Sequence, residues 1–214
     1  KVAKVIMSKT TTPKSAGSDP GFVHLHVHSA YSLLQGSITV GKLVELAKAD
    51  HQPALALTDN DNMFGALEFS DKLAGYGIQP ITGCAMSVDF GDQDPTARNA
   101  LAPARIVLLA TNEDGYRSLM KLNSRAFQDT PTHQAPHIKI EWLDGETSGL
   151  IAMTGGPDGP ISQAIVADQP ALAQARCDVL ARLFGDRLYI ELQRHGLESE
   201  RRCESALIDM AYAM

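Results

Sequence analysis

The sequence predicts an α/β fold on a parallel sheet, either open or curled into a barrel, and three observations lead there. Six short apolar runs alternate with stretches of helical period, the order that builds strand-helix-strand crossovers. The runs end in polar or small residues, as strands do where their loops gather around one mouth. The first run, Phe22-Val23-His24-Leu25-His26-Val27-His28-Ser29, sets three histidines at every second position. A strand sends alternate side chains to opposite faces, so His24, His26 and His28 are expected on one face and Val23, Leu25 and Val27 on the other. Imidazoles converging where a strand runs out are placed to grip a metal ion.

Taken in order, residues 1–21 are rich in Lys, Thr, Ser, Pro and Gly and lack periodicity, which predicts a disordered arm or a tag remnant. The folded domain is expected over 22–214. After the histidine run, Ser37 or Thr39 can cap a helix carried by Val40, Leu43, Val44 and Ala47. Residues 54–58 form a short apolar strand ending at Asp59-Asn60, and Asp61 or Asn62 is the expected cap of a helix through Ala66, Leu67 and Leu73. A third strand over 78–83 ends at Cys84-Ala85, with a possible extension to Phe90, and residues 91–103 make a polar loop. A fourth strand over 105–110 leads to Thr111-Asn112, where Asn112 caps a helix bearing Tyr116, Leu119, Met120 and Ala126. The fifth strand spans 149–154 and closes at Gly155-Gly156-Pro157. Helices over 161–167 and 170–184 follow, the second with Asp168 as its cap; then come a sixth strand over 187–192 and a helix over 198–214.

Composition narrows the function classes. With 214 residues and 44% hydrophobic content the chain can bury a sizeable core as one large domain or two small ones. Nineteen Lys and Arg against 25 Asp and Glu give a net charge of −6, which argues against counterion-releasing DNA binding by this segment alone. Cys84, Cys177 and Cys203 are odd in number and in no C-x-x-C pair, so neither a disulfide framework nor a cysteine zinc site is expected, and a reducing, cytoplasmic compartment is. No apolar run approaches the ~20 residues of a membrane span, so no membrane partner is expected.

The stretch from Phe22 to Gly36 (FVHLHVHSAYSLLQG) closely resembles the opening of the polymerase and histidinol phosphatase (PHP) domain of bacterial replicative DNA polymerase III alpha subunits. PALALTDNDN (53–62), GIQPITG (77–83), residues 106–110, GLIAMTGG (149–156) and YIELQRHG (189–196) agree in the same order, so the likeness covers 22–214. It implies a distorted (β/α)7 barrel of the PHP type, here lacking its last strand and so truncated at its C-terminal end.

The resemblance also implies a ligand set for metal-binding members. His26 and His28 match its first two positions, while the next ones hold Gln35, Asn60, Ala85, Arg105 and Gly156, of which alanine and glycine offer no ligand and a guanidinium repels cations. His26 and His28 are therefore vestigial ligands, with His24, Asp59, Glu191 and His195 lining the site. Arg105 and Asn60 are expected to fill the vacated space by pairing with Asp59 or Glu191, and His195 to order its own loop.

The favoured reading is a structural module of the polymerase that needs no cofactor and docks the proofreading exonuclease (epsilon) subunit. Its other partner is the rest of the polymerase chain, through which alone DNA is met; Mg belongs to the full-length enzyme. The rival is an active phosphoesterase or 3′-5′ exonuclease using Zn or Mn.

Overall fold

Helix caps fall where the side-chain chemistry puts them, except in two places. The computed structural model describes residues 2–4, 21–93, 101 and 103–214. Thr39 accepts from the Lys42 N–H at the start of α1 (Val40–Ala49), and Asn112 accepts from Gly115 at the start of α3 (Glu113–Asp129), each leaving an apolar stripe to bury. Helix α2 (Ala66–Ala74) starts later than expected and has no side-chain cap. Asn62, an expected cap, instead donates to the Tyr31 and Asn60 carbonyls and accepts from Phe64, building a turn before the helix. After α4 (Pro160–Val166), α5 (Pro170–Phe184) begins at its proline, but Asp168 does not cap it; that residue has φ 56° and pairs with Arg202 of α6 (Glu198–Ala213).

The strands are β1 (Val2–Lys4), β2 (Ala54–Leu57), β3 (Gln79–Asp89), β4 (Ala104–Ala110), β5 (Ile138–Lys139), β6 (Leu150–Met153) and β7 (Leu188–Leu192). They form one sheet in the order β1-β7-β6-β4-β3-β2, with β5 paired to β3. The sheet is mixed rather than parallel, because β4 runs antiparallel to both β3 and β6. A parallel return needs a long crossover, and the described residues between β3 and β4 contain no helix. The reversal carries Arg105, at the start of β4, to the end where β2, β6 and β7 finish. It sends Thr111 and Asn112 to the opposite end, where Thr111 bonds the Gly149 carbonyl, so these two are not at the mouth.

Two short strands were not anticipated, since three and two residues give no periodicity. Strand β1 lies within the segment expected to be a loose arm, and it pairs with the edge of β7, Val2 opposite Ile190. The rest of that expected arm, 5–20, lies outside the described residues.

The histidine run is not a regular strand. It follows the edge of β2, with the Ala56 N–H donating to the His24 carbonyl and the Thr58 N–H to that of Val27. Three residues on one side match two on the other, and such an extra residue breaks strict alternation as a bulge does. Leu25 therefore packs inside the barrel while Val27 packs under α1 and α2.

Ala56, Ala85, Val107, Leu109 and Met153 fill the inner face with Leu25, Ile81, Ile151 and Tyr189. Larger clusters join the outer face to the helices. From beside β2, His26 reaches Glu191 of β7, near the other edge of the sheet, at 2.7 Å. Those edges meet only if the sheet curls, so the architecture is a distorted half-barrel with helices outside.

Candidate functional site

At the mouth lies a cavity of about 310 Å³ lined by His26, His28, Gln35, Asn60, Arg105, Gly155, Gln193 and His195, with Asp158 at its rim. The curl of the sheet assembles it. The histidine segment supplies two imidazoles, the loop after β2 an amide, the start of β4 a guanidinium, and the loops after β6 and β7 the far wall.

His26 and His28 face each other edge to face, ring centres 5.0 Å apart. Burial, with the neighbouring His26 and Arg105, brings the His28 imidazole down to about 4, against a weaker upward pull from Asp59 and Glu191. His24 does not join them. The break in alternation turns it against Phe22, ring centres 4.7 Å apart, where burial lowers its pKa and Asp50 partly offsets the effect.

Glu191 is fully buried. Its Oε1 is 2.7 Å from His26 Nδ1 and accepts from Gln193 Nε2 at 2.6 Å, while its backbone N–H donates to Thr154 Oγ1. Burial alone would raise its carboxyl; the His26 bond and charge, with Gln193 and the Gly155 backbone, hold it below the usual carboxylate range.

Asp59 lies beneath the mouth and does not line it. It accepts from the Ser29 N–H at 2.6 Å, Ser29 Oγ at 2.7 Å and Ser32 Oγ at 2.6 Å, which anchors the turn over 29–36. That turn is so close-packed that a Cβ on Gly36 would stand 1.9 Å from the Ser29 carbonyl oxygen.

The five positions at which the resemblance implies a changed ligand have separate fates. Asn60 donates its amide to Gln35, bridging two of them. Arg105 stands 3.6 Å from Asp61, not beside Asp59 or Glu191 as expected. Asp61 also accepts from the Ser87 N–H and hydroxyl; burial raises its carboxyl, opposed by those bonds and by Arg105. Ala85 is buried in the barrel, its backbone paired with Asp59 and Asp61. Gly156 has φ 60°, and an added Cβ would lie 2.5 Å from Gln193 Nε2. His195 orders its loop, as expected, through Glu200, whose carboxylate meets its ring and backbone at 2.8 Å.

Gln193 and Asp61 are the participants that sequence reasoning missed. Gln193 stands two residues beyond Glu191 at the end of β7, so the strand's period of two was the available signal. For Asp61 there was none, because its role depends on β4 running backwards.

Comparison with known proteins follows the same lines. Residues 24–195 match the PHP domain family model. The DNA polymerase III subunit alpha of Caulobacter vibrioides is 43% identical over 192 residues, that of Treponema pallidum 37% over 193 and that of Thermus aquaticus 36% over 200. These matches cover 90%, 89% and 91% of this chain but 17%, 16% and 16% of those proteins, so the chain spans about a sixth of the length of the relatives it matches. A solved structure from Bifidobacterium adolescentis, described as a "putative metal-dependent phosphoesterase", aligns with a TM-score of 0.52 over 91% of this chain and 85% of that one. At 14% identity that likeness concerns the fold alone.

Proposed function

This chain belongs to the PHP domain family, and from that membership we propose that it is the N-terminal domain of a bacterial DNA polymerase III alpha subunit, acting as a structural and docking module with a vestigial metal site. In this reading nucleotidyl transfer, with its Mg, belongs to the rest of the polymerase, and DNA is met only there. The domain supports the polymerase fold and docks the proofreading exonuclease subunit in the cytoplasm.

The observation that carries the vestigial reading is the donor set at the mouth, which does not fit divalent ions. A hydrolytic centre of two or more metals needs carboxylates to bridge and neutralise its ions. Here the buried carboxylate beside His26 accepts from His26 and Gln193 at Oε1 and keeps only Oε2 without a partner, the next positions are a hydrogen-bonded pair of amides, and Arg105 contributes a positive charge. Among the described residues no three His, Cys, Asp or Glu side chains are placed to hold one ion. The chain's own residues instead pair with one another: His26 and Gln193 bond Glu191, Asn60 bonds Gln35, and Arg105 forms a loose ion pair with Asp61 at 3.6 Å.

One observation favours the enzymatic alternative, a Zn- or Mn-dependent phosphoesterase or 3′-5′ exonuclease: His26 and His28 still face each other on one open cavity. Elemental mass spectrometry of protein purified without tag or chelator, with hydrolysis of a phosphomonoester and of single-stranded DNA, separates the two. The vestigial reading expects less than about a tenth of an equivalent of Zn, Mn or Fe and no hydrolysis. A full equivalent lost in the His26→Ala, His28→Ala double variant, together with hydrolysis, establishes the enzyme.

A further inference from the structure

The mouth accounts for only one oxygen of the Glu191 carboxylate. Both side-chain bonds that Glu191 makes there, with His26 and Gln193, fall on Oε1. Oε2 is buried too and has no hydrogen-bonding partner among the described residues. An ionised carboxylate has sites for about four donors. A bare acceptor shut away from water costs more than a bond gains, and folded proteins fill such positions with an ordered water where no side chain reaches.

The structure has a place for one. Glu191 does not itself line the mouth; it lines a smaller cavity behind it, between the loop after β6, the end of β7, and helices α4 and α6. That cavity has a volume of about 10 Å³, which matches the room a single water needs. Since Oε1 is turned to His26 and Gln193, Oε2 is the oxygen left to face it. Ser162 of α4 and Ser199 of α6 line the same space, each with a hydroxyl able to donate and to accept. Cavities that stay dry are apolar, and a water needs two to four polar partners, which this lining supplies.

We propose that one water molecule is a permanent component of the fold in this cavity, donating to Glu191 Oε2 and bridging it to the hydroxyls of Ser162 and Ser199. It gives the second carboxylate oxygen what His26 gives the first, and so fixes the carboxylate that holds the His26 ring. A continuous polar chain results, from His26 through Glu191 and the water to Ser162, whose carbonyl accepts from Cys203 of α6. The mouth is thereby tied to the outer helices. A divalent ion is the wrong occupant. It asks for about six oxygens, whereas Leu192, Cys203 and Leu207 make up part of the lining and both oxygens of Glu200 are spent on His195, Gly196 and Leu197.

The test is diffraction from crystals of the 214-residue chain at a resolution that shows ordered waters, grown without divalent ions and again with rubidium replacing sodium. The expected result is one well-occupied peak about 2.6–3.0 Å from Glu191 Oε2, without rubidium anomalous signal. Absence of density beside Oε2 overturns the proposal. So does a rubidium signal, which assigns the place to a monovalent cation, or an Oε2 turned onto a protein donor. Ser162→Val, whose second methyl takes up the space, is expected to expel the water, and a peak that survives in that variant overturns the bridge. The parent crystals decide the matter even where the variant does not fold.

Discussion

The inner barrel and its mouth are adjacent layers built on opposite rules. Inside, Ala56, Ala85, Val107, Leu109 and Met153 are 3% exposed or less and their side chains pack with Leu25, Ile81, Ile151 and Tyr189, so shape and volume decide which residues fit. Towards and at the mouth, polar pairs take over: Asp59 with the two serines beneath it, then His26 with Glu191, Asn60 with Gln35 and the looser ion pair of Arg105 with Asp61. The inner layer tolerates exchange among residues of similar volume. Removing one partner at the mouth strands another, and an unpaired buried polar group costs more than the bond gained.

That contrast is sharpest at Asp59. Asp59→Ala leaves three buried donors unpaired and is expected to destabilise the protein by about 3–5 kcal/mol, at least as much as the cavity left by Leu109→Ala, about 2–5 kcal/mol. Urea unfolding of both variants measures this; a near-neutral Asp59→Ala would mean that the buried bonds beneath the mouth carry no more stability than ordinary surface contacts. Gly156→Ala comes next, at about 1–2 kcal/mol for a left-handed backbone. Part of that loss should return in a Gly156→Ala, Gln193→Ala double variant, since Gln193 is what the new methyl meets.

The pH profile is a smaller test. His28 titrates near 4 when folded and near 6.5 when unfolded, so between those values the unfolded chain holds a proton that the folded one does not. Stability should fall as pH drops below about 6.5 and level off below about 4, and His28→Gln should flatten that part of the curve. Glu191, depressed when folded, adds a loss in the same direction as pH falls through its folded value. Smallest is Arg105→Ala, expected to change stability by less than about 1 kcal/mol because its pair with Asp61 is partly exposed and 3.6 Å apart.

The same division explains what could be read from the residues. Five of the six expected strands and nearly every helix were legible, because burial against a shell imposes a period: Val40, Leu43, Val44 and Ala47 announce α1, and 54–57 and 150–153 announce strands buried on both faces. The direction of β4 was not legible, since an apolar run reads alike both ways. With it went the destination of Arg105 and the role of Asp61. The histidine run misled for a related reason. Alternation in sequence predicts one face only while the backbone stays regular, and one extra residue against β2 moved His24 away from His26 and His28. The PHP resemblance implies changed ligands at five positions, but side-chain pairing at the mouth is a property of three dimensions.

The most direct test of the proposal that the metal site is vestigial watches the two imidazoles at the mouth. Long-range nitrogen-proton NMR spectra of the histidine rings, assigned with His26→Gln and His28→Gln, would be followed as Zn²⁺ and then Mn²⁺ are added. The account predicts that the His26 and His28 signals stay in place through a several-fold excess of either ion, with His26 held by Glu191. Joint displacement of both rings by Zn²⁺, saturating at one equivalent, would contradict it and restore the mouth to the metal-binding members of the family.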